Sequence, residues 1–323
     1  MTKYCVTGGL GFIGSHLVIK LVEQGNEVVV IDDLSSGSAD LKNLASVKDK
    51  VEIVVGTIAN YPLLNHLATG VDTIFHLATQ CLVMGMDNPA VLHEANAVGT
   101  FNVCLAAKEN NCKIAFISTS EVYGNQETFP INEHAPLKPI SLYALTKVIG
   151  ENYTKFFHET YDVPAVIIRP YNTFGPLQRE DLNMERLMKG FNAYAGVITS
   201  FIKRFEKGET PVIFGDGYQS RDFSYVSDIV DGMILLSKLS NCEVVNLGSG
   251  TDISVTDLAY LLEDVWGAEH NHPIYGTPRI NDIKRLLADI SLARKYGYTP
   301  KVSLKEGLEK YVEWYKGVRN RAT

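Results

Sequence analysis

A glycine-rich segment near the N-terminus constrains the fold more than any other feature of this chain. It has the pattern GxGxxG at Gly9, Gly11 and Gly14, after the apolar run Tyr4–Thr7 and at the start of a helical pattern. A second apolar run ends at Asp32. In this context the glycines allow a tight turn that brings a pyrophosphate to a helix N-terminus, where free N–H groups and the helix dipole favour an anion. The segment therefore predicts a βαβ unit that binds a dinucleotide.

The alternation of strand and helix patterns continues along the first half of the chain and predicts βαβ units. The predicted strands are Tyr4–Thr7, Glu27–Ile31, Val51–Val55, Thr73–Leu77, Ile114–Ser118, Ala165–Arg169 and Glu243–Leu247. The predicted helices are Gly11–Gln24, Pro89–Asn110, Leu142–Tyr161 and Val226–Ser237. Several strands are continuous apolar runs, which suits strands covered on both faces. The predicted fold class is α/β, a Rossmann-type doubly wound parallel sheet with a smaller mixed C-terminal region.

The composition of the sequence changes near residue 171, after which glycine and proline become frequent. We therefore predict a dinucleotide-binding domain over residues 1–170 and a substrate-binding region over residues 171–323. The chain is expected to cross back into the sheet near residues 220–247. The mixed-charge stretch Arg179–Gly190 is expected to form an exposed loop or lid.

Composition excludes several classes of protein. The 323 residues carry a formal charge of −7, so no broad basic face is expected and a nucleic-acid partner is disfavoured. The apolar runs are too short to span a bilayer, and the first residues do not have the layout of a signal peptide. The cysteines are odd in number, scattered and without a CxxC pair, which argues against a disulfide framework and a zinc site. We expect a cytoplasmic enzyme that binds no metal.

The acidic residue at the end of the second strand indicates which dinucleotide is bound. Asp32 is 18 residues beyond Gly14, where a carboxylate can bind both ribose hydroxyls. It would repel a 2′-phosphate, so NAD is favoured over NADP. Asp33 either caps the following turn or contacts the cofactor.

A tyrosine and a lysine follow the spacing YxxxK. Tyr143 and Lys147 are four residues apart in a predicted helix, so they share one face. A lysine beside the phenol favours the phenolate and lowers the pKa of the tyrosine from about 10 toward neutrality. Such a base can take a proton from an alcohol while a hydride leaves to the dinucleotide. The segment Ser118–Gly124, at a predicted strand end, adds weight to this interpretation.

Taken together, the motifs resemble those of the extended short-chain dehydrogenase/reductases, and more narrowly of the nucleotide-sugar epimerase/dehydratase family. The resemblance covers nearly the whole chain. It rests on the glycine segment, Thr119-Ser120-Glu121, Tyr143 with Lys147, Arg169-Pro170-Tyr171-Asn172 and Arg221-Asp222-Phe223. It implies a Rossmann domain that binds NAD, a C-terminal region that binds a nucleoside-diphosphate sugar, and a reaction that begins with oxidation of the sugar at C4.

The resemblance also implies roles for individual residues. Thr119 would bond the sugar hydroxyl, Tyr143 would be the base, and Lys147 would hold Tyr143 and the nicotinamide ribose. Glu121 would complete the catalytic group. The implied cofactor residues are Gly8, Gly11, Phe12, Ile13, Gly14, Asp32, Asp33, Ser36, Thr57, Ile58, Leu77, Ala78, Tyr143 and Lys147. The implied substrate residues are Ser120, Asn172, Arg221 and Arg279.

The sequence departs from the family pattern at three points. Leu142 precedes Tyr143 where the family usually has proline. Thr57 follows Gly56 where the family usually has an acid near the adenine. The family's Arg-x-Gly-Asp is here Arg279-Ile280-Asn281-Asp282, which weakens the assignment of Arg279 to a phosphate.

Glu121 separates the reactions that can follow oxidation at C4. In an extended strand end Thr119 and Glu121 would point to the same side, so both would face the sugar. A carboxylate there can remove the acidified C5 proton, which leads to loss of the 6-hydroxyl. The predicted reaction is therefore 4,6-dehydration, although Ser120 is a poor acid for the leaving hydroxyl. The alternatives are decarboxylation of a uronate, with Arg179 or Arg186 as its cation, epimerisation at C4, and release of the 4-keto sugar by a 4-dehydrogenase.

Two further expectations concern assembly and class. The family resemblance implies a homodimer, in which the helices Pro89–Asn110 and Leu142–Tyr161 of two copies form a four-helix bundle. A protein of a different class, a non-catalytic NAD-binding regulator, would use the same fold. The complete set of Thr119, Tyr143 and Lys147 argues against the regulator.

Overall fold

A seven-stranded parallel sheet forms the centre of the molecule, with the strand order β11-β6-β5-β4-β1-β2-β3. The computed structural model describes residues 1–36, 39–80, 88–178, 196–268, 272–279 and 282–322. The strands of the sheet are β1 (Lys3–Thr7), β2 (Glu27–Asp32), β3 (Val51–Val55), β4 (Thr73–His76), β5 (Lys113–Ile117), β6 (Ala165–Pro170) and β11 (Asn241–Leu247). The predicted α/β class and its doubly wound parallel sheet are confirmed.

Helices cover both faces of the sheet, which explains why its strands are apolar on both sides. One face packs against α1 (Phe12–Glu23) and α7 (Val226–Leu236). The other packs against α2 (Tyr61–Leu67), α4 (Gly99–Asn110) and α5 (Leu142–Tyr161). The helix α5 has the predicted bounds, α1 is one residue shorter than predicted at each end, and α7 is one residue shorter at its C-terminal end.

The order of the strands fixes where ligands can bind. The chain builds β1, β2 and β3 outward in one direction and then β4, β5 and β6 outward in the other. The direction reverses between β1 and β4, which are neighbours with Thr7 opposite His76. Ligands of such sheets bind beyond the carboxyl ends of the strands at this switch point.

A smaller mixed region adjoins the carboxyl ends of the strands. Among the described residues it contains two strand pairs and one three-stranded sheet, which pack against α6 (Val197–Glu206), α8 (Val255–Trp266) and α10 (Leu304–Ala322) around their own apolar core. The short strands are β7 (Asn172–Phe174), β8 (Val212–Phe214), β9 (Ser220–Arg221), β10 (Phe223–Tyr225), β12 (Ile253–Ser254), β13 (Ile274–Gly276) and β14 (Arg285–Leu286). The helix α9 (Ser291–Lys295) lies on the sheet beside β11. Within the described residues, no helix has both the length and the apolar character needed to cross a membrane.

Two local predictions are corrected. The predicted helix Pro89–Asn110 consists of α3 (Pro89–His93), a π-helical turn (Glu94–Val98) and α4, because the turn lets the Asn96 amide bond both the N–H and the carbonyl of Gln80. The predicted extended run beyond β5 is also wrong. The strand ends at Ile117, and Ser120–Tyr123 form a 3₁₀ turn.

Candidate active site

The glycine segment forms a cradle at the N-terminus of α1. Gly11 is the N-cap residue, and no side chain caps the free N–H groups of this helix. Gly8 has a φ of +72°, in the left-handed region that favours glycine. A Cβ at Gly14 would lie 2.1 Å from the Gly8 carbonyl oxygen, so the turn closes only without a side chain there. Backbone N–H groups in such a cradle fit the pyrophosphate of a dinucleotide.

Asp32 closes one side of the cradle. Its Oδ2 accepts a hydrogen bond from the Leu10 N–H at 3.0 Å, and its Oδ1 accepts one from the Leu34 N–H at 2.9 Å. Burial raises the pKa of this carboxyl, and the two N–H donors oppose the shift. The neighbouring Asp33 caps a turn at the Ser35 N–H and also lines the cavity.

A cavity of about 390 Å³ extends from this cradle along the carboxyl ends of the strands. Every residue that the sequence suggested for the cofactor lines it, from Gly8 in the cradle to Lys147 on α5. The wall also contains residues that the sequence analysis had not assigned. They include Ser35, Gly56, Thr79, Gln80, Ser118, Pro170, Tyr171, Thr173 and Gln178.

Tyr143 and Lys147 enter this cavity from the first turns of α5. Ser141 caps the helix, since its Oγ accepts the Ala144 N–H at 3.0 Å. The Lys147 ammonium is buried, and it donates to the Ile117 carbonyl at 2.9 Å. Burial lowers the pKa of Lys147 to about 7, and the Glu151 carboxylate opposes the shift. A lysine whose charge is this finely balanced suits control of a neighbouring phenol.

The 3₁₀ turn brings Thr119 and Glu121 to different walls. Thr119 lines the cavity with Tyr143 and caps the turn, because its Oγ1 accepts the Glu121 N–H at 3.2 Å. Glu121 instead lines an adjoining chamber and lies 3.5 Å from Ser141 Oγ. Burial raises the pKa of Glu121, and Arg221 opposes the shift. The prediction that Thr119 and Glu121 point to the same side is therefore wrong, because the backbone turns before Glu121. The two side chains still line connected spaces, since one small chamber contains Thr119, Ser120 and Glu121.

A second chamber of about 250 Å³ lies beyond Glu121. It contains the three remaining residues that the sequence suggested for the substrate, Asn172, Arg221 and Arg279. Arg221 Nη2 donates to Asp282 Oδ1 at 2.7 Å, and the guanidinium of Arg279 lies 4.9 Å from the centre of the Phe214 ring. Two arginines beside an apolar ring form a surface that suits a phosphorylated nucleoside.

The two spaces communicate through a shared wall. Thr173 and Gln178 line both the cofactor cavity and the second chamber. Among the described residues, no partner bonds the buried oxygens Asn172 Oδ1 and Gln178 Oε1. Since buried polar atoms nearly always have a partner, these oxygens suit a ligand that crosses between the two spaces.

Two histidines near the cavity make structural hydrogen bonds. His76 does not line the cavity, since it is buried and bonds Thr7 and Thr100. His16 bonds the Pro176 carbonyl and so tethers the turn before Gln178 to α1. The residues Cys81–Asp87, Arg179–Gly190, Ile280 and Asn281 lie outside the described part of the chain.

Sequence reasoning missed Asp282, Glu151 and Arg169. Asp282 was visible as the acid of the Arg279–Asp282 motif. Arg169 had a clear signal, because it is a charged residue in the otherwise apolar strand β6. Glu151 follows Lys147 by one helical turn, and that spacing was its signal.

Comparison with known proteins identifies the relatives of the chain. The family model described as GDP-mannose 4,6 dehydratase matches residues 5–311. A UDP-glucose 4-epimerase of Mycolicibacterium smegmatis is 35% identical over 317 residues, which are 96% of this chain and 97% of that protein. UDP-glucuronic acid decarboxylase 1 of Xenopus tropicalis is 32% identical over 97% of this chain and 72% of its own. A dTDP-glucose 4,6-dehydratase of Streptomyces venezuelae, solved with NAD bound, superposes with a TM-score of 0.88 at 28% identity, over 99% of this chain and 98% of that one.

Proposed function

The chain belongs to the extended short-chain dehydrogenase/reductases that modify nucleotide sugars, in the family described as GDP-mannose 4,6 dehydratase, and we propose that it is an NDP-sugar 4,6-dehydratase. It uses NAD, as its relatives do. The observation that carries the proposal is the half-buried carboxyl of Glu121, which lines one small chamber together with Thr119 and whose pKa is raised by burial. A base of raised pKa is the group that removal of a carbon-bound proton requires.

The two parts of the chain would divide the ligands between them. In this proposal residues 1–170 bind NAD through the glycine cradle and Asp32. Residues 171–323 bind the nucleoside diphosphate through Asn172, Arg221 and Arg279. The sugar then lies between Thr119 and Glu121.

The first proton transfer is assigned to Tyr143. Its phenolate, stabilised by the Lys147 ammonium, takes the proton of the C4 hydroxyl, and Thr119 bonds the same oxygen. When bound, NAD supplies the hydride acceptor at this step and the hydride donor at the end of the cycle. The product of the step is a 4-keto sugar, whose C5 proton is acidified by the ketone.

The elimination is assigned to Glu121. Its carboxylate takes the C5 proton, a double bond forms between C5 and C6, and the C6–oxygen bond breaks. The carboxyl that has just gained a proton can then return it to the departing hydroxyl, which leaves as water. This use of one group as base and then acid supplies the proton that Ser120 could not. A hydride returned from the reduced cofactor would add to C6 while Glu121, reprotonated by solvent, gives a proton to C5, so the cycle balances and one solvent hydrogen ends at C5.

Epimerisation at C4 is the second candidate, favoured by the 35% identity to a UDP-glucose 4-epimerase. An epimerase returns the hydride to the other face of the ketone and needs no base at C5. A decarboxylase is less favoured, because the carboxyls of Glu121 and Asp282 would face the uronate while Arg221 and Arg279 are assigned to the diphosphate.

Mass spectrometry of the products decides among these reactions. The purified protein is incubated with UDP-, GDP-, dTDP- and CDP-sugars in water and in deuterium oxide. We expect one sugar nucleotide to lose one water and, in deuterium oxide, to gain a deuterium at C5. A product of unchanged mass but new retention time would make the protein an epimerase, and loss of carbon dioxide would make it a decarboxylase.

The Glu121→Gln variant tests the role of Glu121 as the base at C5. We expect turnover to fall by about 100- to 10,000-fold, the usual range for loss of a general base. Borodeuteride should still trap the 4-keto sugar, because oxidation at C4 does not need Glu121. Glu127→Gln, which removes an exposed carboxyl a short distance along the chain, is the matched control and should be fully active. A regulator without catalysis would yield no trapped ketone, and a Tyr143→Phe variant would then behave as the parent does.

We also propose that the protein is a cytoplasmic homodimer. The outer faces of α4 and α5 expose Phe101, Leu145 and Phe156 at 40%, 45% and 52%. Phe101 packs against Tyr153 on the neighbouring helix at 5.6 Å between ring centres, so the two helices present one continuous apolar face. Two such faces from separate copies would form the four-helix bundle. Free thiols at Cys5, Cys104, Cys112 and Cys242 suit a reducing compartment.

Analytical ultracentrifugation tests the dimer. The parent should sediment as a dimer at micromolar concentration, and Leu145→Lys should shift it toward the monomer. Leu41→Lys, at an exposed leucine away from these helices, is the control. A parent that sediments only as a monomer would disprove the dimer.

A further inference from the structure

A fully buried ion pair lies directly behind the candidate active site. Glu151 follows Lys147 by one turn of α5 and is 0% exposed, and Arg169 on β6 is 2% exposed. The contact is bidentate, with Nε to Oε1 at 2.8 Å and Nη2 to Oε2 at 2.6 Å. The two residues are 18 positions apart and belong to different elements, so their meeting is a property of the fold.

Stability alone is a weak reason for such a pair. Burial of two charges costs several kcal/mol per ion, and apolar side chains of similar volume often stabilise a protein equally well. The strand around Arg169 is apolar and completely buried. A charged residue at this position therefore indicates a role beyond packing, and the contacts of the pair indicate which role.

The Glu151 end of the pair acts on the lysine. Glu151 is the anion that opposes the effect of burial on Lys147. Its Oε1 also accepts the Ser118 hydroxyl at 2.7 Å, which fixes the residue before Thr119. Glu151 thus lies one helical turn from Lys147 and acts on it electrostatically, and it accepts a hydrogen bond from the residue before Thr119.

The Arg169 end of the pair holds the 3₁₀ turn. Arg169 Nη1 donates to the Tyr123 hydroxyl at 2.8 Å, and that hydroxyl donates to Asn246 Oδ1 at 2.7 Å. Tyr123 is the last residue of the turn that carries Glu121. The guanidinium also lies 4.8 Å from the centre of the Tyr123 ring, so the ring is held on its face and at its hydroxyl.

We propose that the Glu151–Arg169 pair is a positioning device that keeps Lys147 charged beside Tyr143 and locks the turn bearing Glu121 in register with it. Glu151 and Arg169 line neither of the two main spaces, so they act through Lys147, Ser118 and Tyr123. The inference rests on the proposed role of Tyr143 as the base. The part that concerns Lys147 applies to a dehydratase and to an epimerase alike. The part that concerns the turn bearing Glu121 applies only to a dehydratase.

The charged and titratable groups around Lys147 determine in which direction its pKa moves when Glu151 loses its charge. On α5 they are Tyr143 and Glu151, and on β4 the group is His76, whose pKa is lowered by burial and also by Lys147. The strand β5 contributes the Ile117 carbonyl and the Phe116 ring, 5.2 Å below the ammonium. Glu151 itself meets Arg169 and, at 3.8 Å, the partly exposed Lys155. Removal of the Glu151 charge therefore leaves burial unopposed, so Lys147 loses its proton at a lower pH.

The Glu151→Gln variant is the test of the first half. In protein free of NAD, the ultraviolet difference between the parent and its Tyr143→Phe variant reports the tyrosinate of Tyr143 alone. We expect Glu151→Gln to reduce this tyrosinate signal near neutral pH and to move the alkaline limb of the kcat profile down by about one pH unit. Glu151→Asp keeps the charge and should leave the limb near its original position.

A variant without an unpaired charge guards against simple misfolding. Glu151→Gln strands the Arg169 charge, whereas the double variant Glu151→Gln/Arg169→Met removes both charges and should regain thermal stability. The displaced alkaline limb should persist in the double variant, because Lys147 still lacks its anion. If the double variant is stable and its tyrosinate signal and pH profile match those of the parent, the pair is only structural and the inference fails.

Tyr123→Phe tests the second half. It should leave the tyrosinate signal of Tyr143 and the trapping of the 4-keto sugar unchanged, while deuterium exchange at C5 slows about tenfold, as expected for one lost hydrogen bond to a charged group. Unchanged exchange would remove the role assigned to the turn. The proposed function fails separately, and with it the inference, if the parent shows no tyrosinate from Tyr143 near neutral pH.

Discussion

The cofactor cavity and the second chamber differ in the kind of atom that each offers to a ligand. At the cofactor cradle, backbone N–H groups around Gly8, Gly11 and Gly14 supply the contact surface. In the second chamber, charged side chains supply it, chiefly Arg221, Arg279 and the carboxyls that face them. A backbone surface is built by one short segment, whereas a side-chain surface is assembled from residues distant in sequence.

The contrast predicts which substitutions each of the two sites tolerates. A site made largely of backbone tolerates almost no alteration at its glycines and depends on few side chains, chiefly that of Asp32. A site made of charged side chains can alter its preference by single substitutions. A substitution in one of the two sites should therefore leave ligand binding at the other unchanged.

The largest effect is expected at Gly14. In Gly14→Ala the new Cβ would lie 2.1 Å from the Gly8 carbonyl oxygen, and backbone cannot yield as a flexible side chain would. We expect NAD affinity to fall by about 100-fold or more, since overpacking of this kind costs up to about 3 kcal/mol. Sugar-nucleotide affinity should remain within about twofold of the parent. Calorimetric titration with each ligand measures both.

The control for this substitution is Gly317→Ala on α10. A Cβ at Gly317 meets no atom within 4 Å, so alanine should stabilise the helix by roughly 0.5–1 kcal/mol. If Gly14→Ala weakens both ligands equally, the two halves are one cooperative site and the comparison is broken.

The same contrast explains how much the sequence could predict. The cradle was readable because its three glycines, the strand before them and Asp32 lie within one βαβ unit, and local patterns predicted the central strands almost to the residue. The orientation of Glu121 was not readable. Thr119 caps a 3₁₀ turn immediately after the strand, and the choice between turn and extended chain depends on a side-chain bond that periodicity does not reveal.

The charged network was also beyond sequence reasoning, for a different reason. Arg221 meets Asp282 across 61 positions, and Arg169 meets Glu151 across 18. Local patterns carry no information on which charges will pair over such distances. Only the fold brings β9 beside residue 282 and β6 beside α5.

The next effect concerns the stability of the cofactor half. His76 lies at the end of β4, bonded to Thr7 and Thr100, and burial together with the nearby Lys147 lowers its pKa to about 3. Below the unfolded pKa of about 6.5 the unfolded chain binds a proton that the folded chain does not. The free energy of unfolding should therefore fall with pH by about 1.4 kcal/mol per unit, or about 2 kcal/mol from pH 6.5 to pH 5.

Urea unfolding at several pH values measures this dependence. His76→Gln should flatten the slope between pH 6.5 and pH 5, while His134→Gln, at an exposed histidine, should leave it unchanged. An equal slope in the parent and in His76→Gln would mean that another group governs the acid sensitivity. The prediction sharpens the comparison, because it assigns a pH-dependent loss of stability to the half that contains the glycine cradle.

The smallest effect is expected in the second chamber. Arg279 lies over the Phe214 ring and lines the chamber with Arg221, so Arg279→Gln removes one of two cations available to a diphosphate. We expect sugar-nucleotide affinity to fall about tenfold, as for one lost hydrogen bond to a charged group, and NAD affinity to stay unchanged.

The control is Arg285→Gln, which removes an arginine that also stacks on a ring, that of Phe129, but lies outside the chamber. Since Arg221 remains, the loss should be graded rather than complete, and it should shrink as salt is added because salt screens the remaining attraction. A complete loss of binding would mean that Arg279 orders the whole chamber, and the side-chain half would then be as intolerant of substitution as the glycine cradle.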